Sequence, residues 1–272
     1  MNKGNNKLNS TKRNIYFFFV RQFIALKNLF LKRRKNIFLF ILSPPFSGST
    51  LLNHILSTSS NISCNNNIGL REGQHLPIVN KIMFHDDRWN THKKFPWETI
   101  KKIWVKYWDL SKAVLLEKSP PNIIRAMQIE QHFTHSKFIC LVRNPYAQIE
   151  GKIRRHEKDI AAATEEILFY LKTQQKNIEQ LKSVLYLSYE ELTNHPEGAK
   201  GKIIEFMPEL ADISITQEYK AHNFKTSSKM GIVNLNKEKI DKLTDGQIKL
   251  INDTFEKEKE VLEYFGYQIV NR

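Results

Sequence analysis

The sequence predicts a three-layer α/β domain, a central parallel sheet with helices on both faces. Three observations carry this. Short apolar runs of strand length recur along the chain, longer helical stretches separate them, and the first run ends in a small-residue turn, "SPPFSGST". Continuous rather than alternating apolar runs are what strands buried on both faces require. Strand and helix in repeated succession imply βαβ units with right-handed crossovers.

The first 36 residues stand apart from this pattern. A polar, Lys/Asn-rich start runs to Asn14, followed by "IYFFFVRQFIALKNLFL" and then the basic cluster "KRRK" at 32–35. Arg21 and Lys27 interrupt the apolar stretch before it reaches the ~20 residues that span a bilayer, and no small-residue cleavage site follows it. Residues 1–36 therefore read as a basic amphipathic N-terminal segment. Either residues 14–36 lie on an anionic membrane surface, or the segment packs on the domain with its Phe residues in the core.

From residue 37 to 272 the chain reads as one domain. The runs 37–42 ("IFLFIL"), 113–118 ("AVLLEK"), 137–142 ("KFICLV") and 183–188 ("SVLYLS") are the expected strands. Expected helices cover 50–56, 97–108, 122–132, 146–155, 164–181 and 199–207. A last helix over 245–265 carries Ile248, Ile251, Phe255, Val261, Leu262 and Phe265 toward the sheet.

Composition narrows the partners. Lys and Arg number 42 against 28 Asp and Glu, a net charge of +14 that favours anionic partners without choosing among them. The basic residues are scattered and form no recognised nucleic-acid module, so nucleic acid is not expected. Cys64 and Cys140 make neither a disulfide framework nor a metal set, which suits a reducing, cytoplasmic setting.

In open α/β sheets, ligands bind beyond the carboxyl ends of the strands. In the loop after the first run, Gly48 lets backbone approach an anion, Ser49 and Thr50 offer hydroxyls and amides, and the following helix turns its positive end toward the ligand. A nucleoside-triphosphate loop needs Gly at the position of Ser43 and Lys at that of Ser49, so ATP or GTP chemistry is disfavoured. Lys118 and Arg143 end two further strands, expected to be adjacent, and their charges would converge on the same crevice.

These residues resemble a family. "SPPFSGSTLL" is similar to the 5′-phosphosulfate loop of sulfotransferases, and "KFICLVRNP" to their 3′-phosphate strand and turn. "LLEKSPPNIIRAMQIEQHF" is similar to a segment of tyrosylprotein and bacterial carbohydrate sulfotransferases, "LYLSYEELTNHP" to the strand supplying a nucleotide-contacting Tyr, and "VLEYFGY" to the last helix. The likeness covers residues 37–267.

The resemblance implies a P-loop-like sulfotransferase fold, 3′-phosphoadenosine-5′-phosphosulfate (PAPS) as donor, the desulfated nucleotide PAP as product, and no metal. The acceptor would be a hydroxyl of a glycan, a lipid-linked sugar or another small molecule. Pro45, Phe46, Ser47, Gly48, Ser49, Thr50 and Leu51 would cradle the phosphosulfate, Arg143 and Gly151 the 3′-phosphate, and Tyr189 the nucleotide. Lys225, Ser228 and Lys229, in "NFKTSSKMG", would close over it. Lys118 aligns with the catalytic lysine. "GLREGQHLP" is similar to the segment carrying the catalytic base, which points to Glu72, with His75 or His85 as the histidine alternative.

Two positions depart from the family. Phe46 replaces a loop Arg or Lys, and Gly151 replaces a Ser. Losing a cation at the transferring group costs roughly 2.7 to 4 kcal/mol of barrier, by analogy with a lost oxyanion donor, unless something replaces it. Lys118 and Lys225–Lys229 are the candidates at the first position, and Lys152, Arg154 and Arg155 at the second. A site that binds the nucleotide without turnover is the competing reading. The region 80–110, rich in Trp, His and Lys, is expected either to line the acceptor site or to pack as core.

Overall fold

A computed structural model of the chain describes residues 3–29, 31, 35–215 and 231–272. Five strands form one parallel sheet: β1 (Ile37–Leu42), β2 (Ile62–Cys64), β3 (Val114–Glu117), β4 (Ser136–Val142) and β5 (Val184–Ser188). Their order across the sheet is β2-β3-β1-β4-β5. Phe40 lies opposite Glu117 on one side of β1, and Leu42 opposite Cys140 on the other. The central strand β1 is thus the one that feeds the small-residue loop, and the order changes direction there, where open α/β sheets place their ligand.

Helices cover both faces, and two short ones, α3 (Val79–Met83) and α8 (Tyr189–Asn194), come after β2 and β5 in the chain. On one lie α2 (Ser49–Leu56) and α9 (Pro196–Phe206), whose Leu51, Leu52, Ile55 and Ile203 pack on Leu39 and Ile41. On the other, Trp97, Ile100 and Trp104 of α4 (Trp97–Trp104) and Ile129 of α5 (Ala126–His132) pack on Phe40 and Phe138. Beside them, α6 (Pro145–His156), α7 (Ile160–Gln180), α11 (Asp245–Phe255) and α12 (Lys259–Tyr264) enclose a third apolar cluster around Val142.

Four differences from the sequence reading have local causes. Strand β2 is three residues long and offers only Ile62 and Cys64 as apolar residues, too little to read. The expected helix 245–265 is broken by a turn of tighter helix at Glu256–Glu258. The helix expected at 164 starts at Ile160, because the Asp159 side chain accepts from the Ala162 amide and caps it. Finally, the strands that end at Lys118 and Arg143 are not neighbours: β1 lies between β3 and β4.

The first helix, α1 (Lys3–Leu29), settles neither expectation alone. Phe17 and Ile24 are buried, with Phe17 meeting Tyr107 edge-on at 5.9 Å, and Asn28 exchanges hydrogen bonds with the backbone of Trp108 and Leu110. Its other Phe residues remain exposed. Among the described residues no helix is long and apolar enough to cross a membrane.

Candidate active site

The loop leaving β1 is held by its own backbone. Ser47 is fully buried and its hydroxyl donates to the Pro44 carbonyl at 2.7 Å, so its side chain braces the turn rather than facing a ligand. Phe46 (φ 67°) and Gly48 (φ 89°) both sit in the left-handed region. At Gly48 glycine is required twice: by that φ, and because a Cβ there would lie 2.5 Å from a ring carbon of Tyr189. Leu51 points into the core, leaving only its amide for the site. Pro45, Phe46, Gly48, Ser49 and Thr50 are half-buried and line the open side of the turn. The first-turn amides of α2 have no intrahelical acceptors, so the turn presents N–H groups and a positive helix end to an anion.

One cation flanks the loop on each side. On the β4 side, Arg143 lies over the Tyr189 ring, its guanidinium carbon 4.0 Å from the centroid. Its Nε donates to Asn236 Oδ1 at 2.7 Å, and one terminal nitrogen donates to the Phe46 carbonyl at 3.1 Å. The Tyr189 hydroxyl donates to the Val233 carbonyl at 2.9 Å, which ties this wall to the segment ahead of α10 (Asn236–Ile240). On the β3 side stands Lys118. Two strand spacings, about 10 Å, separate the two strand ends across β1.

Lys118 is 1% exposed and donates to Glu72 Oε1 at 3.1 Å and to the Leu70 carbonyl at 2.7 Å. Glu72, itself buried, also accepts from Gln74 Nε2 at 2.5 Å and lies 3.2 Å from His75 Nε2. Burial pushes the Glu72 carboxyl up, but the His75 ring, the Lys118 ammonium and the Gln74 amide outweigh it and hold its pKa below the ordinary carboxylate value. The structure thus brings Lys118, Glu72 and His75 into one hydrogen-bonded cluster. It leaves out His85, which is exposed and whose ring meets the Lys81 carbonyl. Glu72 is paired with Lys118 rather than with its neighbour Arg71.

A second carboxylate explains how this cluster is held. Glu117, the last residue of β3, is almost wholly buried and accepts from the Gly73 amide at 3.0 Å and from Asn122 Nδ2 at 3.3 Å. Burial raises its pKa against the hydrogen bonds from Ser119, Gly73 and Asn65. The Gln74 amide donates to Ser119 Oγ at 2.9 Å, the Trp104 indole to the Gly73 carbonyl at 3.3 Å, and Asn66 to the Glu72 carbonyl at 2.8 Å. A Cβ on Gly73 would come within 2.5 Å of Glu117 and 2.6 Å of Asn65. The turn 72–75 is therefore clamped onto the end of β3 through a position that only glycine fills. Glu117, Gly73 and Asn236 went unread in the sequence, although an acid inside the apolar run "AVLLEK" was a usable signal.

The two departures from the family pattern meet in space. The Phe46 ring lies over α6, where a Cβ on Gly151 would stand 3.1 Å from two of its ring atoms. It also meets the His156 ring edge-on at 5.7 Å. The bulk of Phe46 occupies the space that a side chain at 151 would use. Lys152 and Arg154 do not supply the missing charge: Lys152 is buried and paired with Glu166, and Arg154 with Glu150 at 2.7 Å. Lys225, Ser228 and Lys229 lie outside the described residues. The tryptophans of region 80–110 are chiefly core: Trp97, Trp104 and Trp108 are buried, whereas Trp89 is half-buried and meets the Tyr170 ring at a tilt, centroids 5.0 Å apart.

The comparisons agree with this layout. The Sulfotransferase family model matches residues 39–210, the stretch from β1 through α9 that holds the loop, Lys118 and Arg143. No curated protein matched the chain. Among solved structures, the sulfotransferase domain of the Synechococcus PCC 7002 olefin synthase is 18% identical with a TM-score of 0.50, over 89% of this chain and 98% of that one. A sulfotransferase from Alicyclobacillus acidocaldarius is 13% identical with a TM-score of 0.51, over 85% and 96%. At these identities the likeness is one of fold, a parallel sheet with a P-loop-like turn after its central strand. With a family match that spans most of the sheet and takes in the β1 turn and the two cations flanking it, this chain belongs to the sulfotransferase family.

Proposed function

We propose that the protein transfers a sulfuryl group from PAPS to a hydroxyl of a glycan, lipid-linked sugar or other small acceptor. The observation that carries this reading is the Lys118–Glu72–His75 cluster clamped beside the β1 loop. Sulfuryl transfer is an in-line displacement in which one S–O bond forms to the acceptor oxygen as the bond to the phosphate leaving group breaks. It needs a base for the acceptor proton and positive charge at the leaving oxygens.

Glu72, kept ionised by its neighbours, is placed to take the acceptor proton, and His75 shares its carboxylate. Lys118 neutralises charge at the transferring or leaving group, and its bond to Glu72 sets the distance between base and cation. The amides of Gly48, Ser49, Thr50 and Leu51 cradle the 5′ end of the donor. Arg143, fixed on the Tyr189 ring, holds the 3′-phosphate, and the space beside Gly151 is taken by the Phe46 ring.

The test is transfer of labelled sulfate from PAPS across a panel of hydroxyl acceptors. Lys118→Ala is expected to abolish transfer while PAP still raises the melting temperature. A wild-type protein that neither transfers sulfate nor is stabilised by PAP would end the proposal. One observation favours a second reading, nucleotide binding without turnover: the Phe46 ring packs on α6 where the family places a cation. That reading predicts PAP-dependent stabilisation, about 2.7 kcal/mol at a hundredfold excess over Kd, with no transfer to any acceptor.

A further inference from the structure

The structure gives α1 two opposite apolar faces. One, made of Phe17, Val20, Ile24 and Asn28, lies on the domain. The opposite one carries Ile15, Phe19, Phe23 and Leu26, spaced at i, i+4, i+8 and i+11 so that they share one side of the helix. Their exposures are 52%, 65%, 59% and 61%, and Phe18 and Leu29 flank them at 51% and 71%. Soluble domains seldom display a contiguous apolar patch of this kind without a partner for it.

The charge indicates the partner. Residues 1–36 contain ten Lys and Arg and no Asp or Glu, whereas residues 37–272 carry 32 basic against 28 acidic residues, a surplus of only four. Most of the protein's +14 is thus concentrated on and around this one helix. Basic side chains also lean on the exposed rings: Lys27 lies 5.0 Å from the Phe23 centroid and Arg21 5.9 Å from that of Phe18. Apolar residues pointing outward within a purely cationic segment are the arrangement that inserts among acyl chains while its cations meet anionic headgroups. A second copy of the chain is a poor occupant, because pairing two such faces would bring together two segments of ten positive charges each.

We propose that the outward face of α1 docks on the surface of an anionic lipid bilayer. Docking uses only residues already exposed, so the helix keeps its inner face on the domain. The binding does not depend on sulfuryl transfer, and the two separate experimentally: transfer to a soluble acceptor should survive in a protein that no longer binds vesicles.

The full chain is to be floated with vesicles of phosphatidylcholine containing about 30% phosphatidylserine, with vesicles of phosphatidylcholine alone, and with the anionic vesicles at high salt. The expected result is strong partition to the anionic vesicles, reduced about tenfold or more by neutral lipid or salt. Phe19→Ser/Leu26→Ser should lose the same amount with an unchanged melting temperature, since both side chains are exposed. Equal partition to neutral vesicles, or undiminished partition of the double variant, overturns the proposal. So does a wild-type protein that ignores both lipids, whether light scattering then shows a dimer that the double variant loses or a monomer with a solvated helix.

Discussion

Phe46 and Gly151 are expected to be energetically coupled, and the size of the coupling follows from their contact. Replacing Gly151 by Ser, the residue the family favours, puts a Cβ 3.1 Å from two Phe46 ring atoms and 3.4 Å from its Cβ. Forcing extra atoms into such a contact costs about 1 to 3 kcal/mol, of which the better helix propensity of Ser in α6 returns about 0.5 kcal/mol. Gly151→Ser should therefore destabilise the wild-type background by roughly 0.5 to 2.5 kcal/mol. In a Phe46→Arg background the ring is gone and the same change should be close to neutral. A double-mutant cycle by urea denaturation should then give a coupling of about 0.5 to 2.5 kcal/mol, against about 0.3 to 0.5 kcal/mol for independent sites. A Gly151→Ser penalty that is the same in both backgrounds would refute the account. Sulfate transfer gives a second readout. The double variant restores both a loop cation and the serine, and its turnover should exceed that of the wild type, by on the order of 10²-fold if the cation acts as an oxyanion donor does.

The remaining predictions concern the clamp and the cations. Gly73→Ala should cost about 1 to 3 kcal/mol in chemical denaturation and lower sulfate transfer more than nucleotide affinity, since the clamp aims Glu72 rather than the donor site. Glu72→Gln should abolish transfer and leave Lys118 buried without its counter-charge, a loss of about 3 kcal/mol or more at neutral pH. Because the folded Glu72 pKa is depressed, its stabilising contribution is present above the unfolded value of about 4.3 and disappears as pH falls through the folded pKa. Melting curves of the two proteins should accordingly converge only as pH falls below the depressed folded pKa, and a gap independent of pH would count against the ion pair. Arg143→Lys keeps the charge but loses the guanidinium contact over Tyr189 and the forked contacts, so PAP titration monitored by thermal shift should show affinity about tenfold or more weaker.

Much of the fold and part of the site are legible from the chain alone, because they depend on local pattern. Apolar runs such as "IFLFIL" and "KFICLV" must be buried on both faces, which commits them to a parallel sheet, and the residues that follow each run must then lie at its carboxyl edge. The β1 loop, Lys118 and Arg143 are placed by that logic, and the short segment around Glu72 by its family likeness. What depends on the path of the chain through space is not written locally. Strand order put β1 between the two cations, a fact of crossover geometry. The pairing of Phe46 with Gly151 joins two positions that sequence reading treats as separate losses, because side chains a hundred residues apart compete for one volume. Lys152 and Arg154, available cations on paper, are neutralised by Glu166 and Glu150, which the turn after α6 and the helix itself bring to them. The tryptophans of region 80–110 became core because the sheet face beneath them had to be covered. In the same way α1 was divided into a buried and an exposed apolar face: composition set its charge and its Phe content, but only docking against Tyr107 and Trp108 decided which side was left outward.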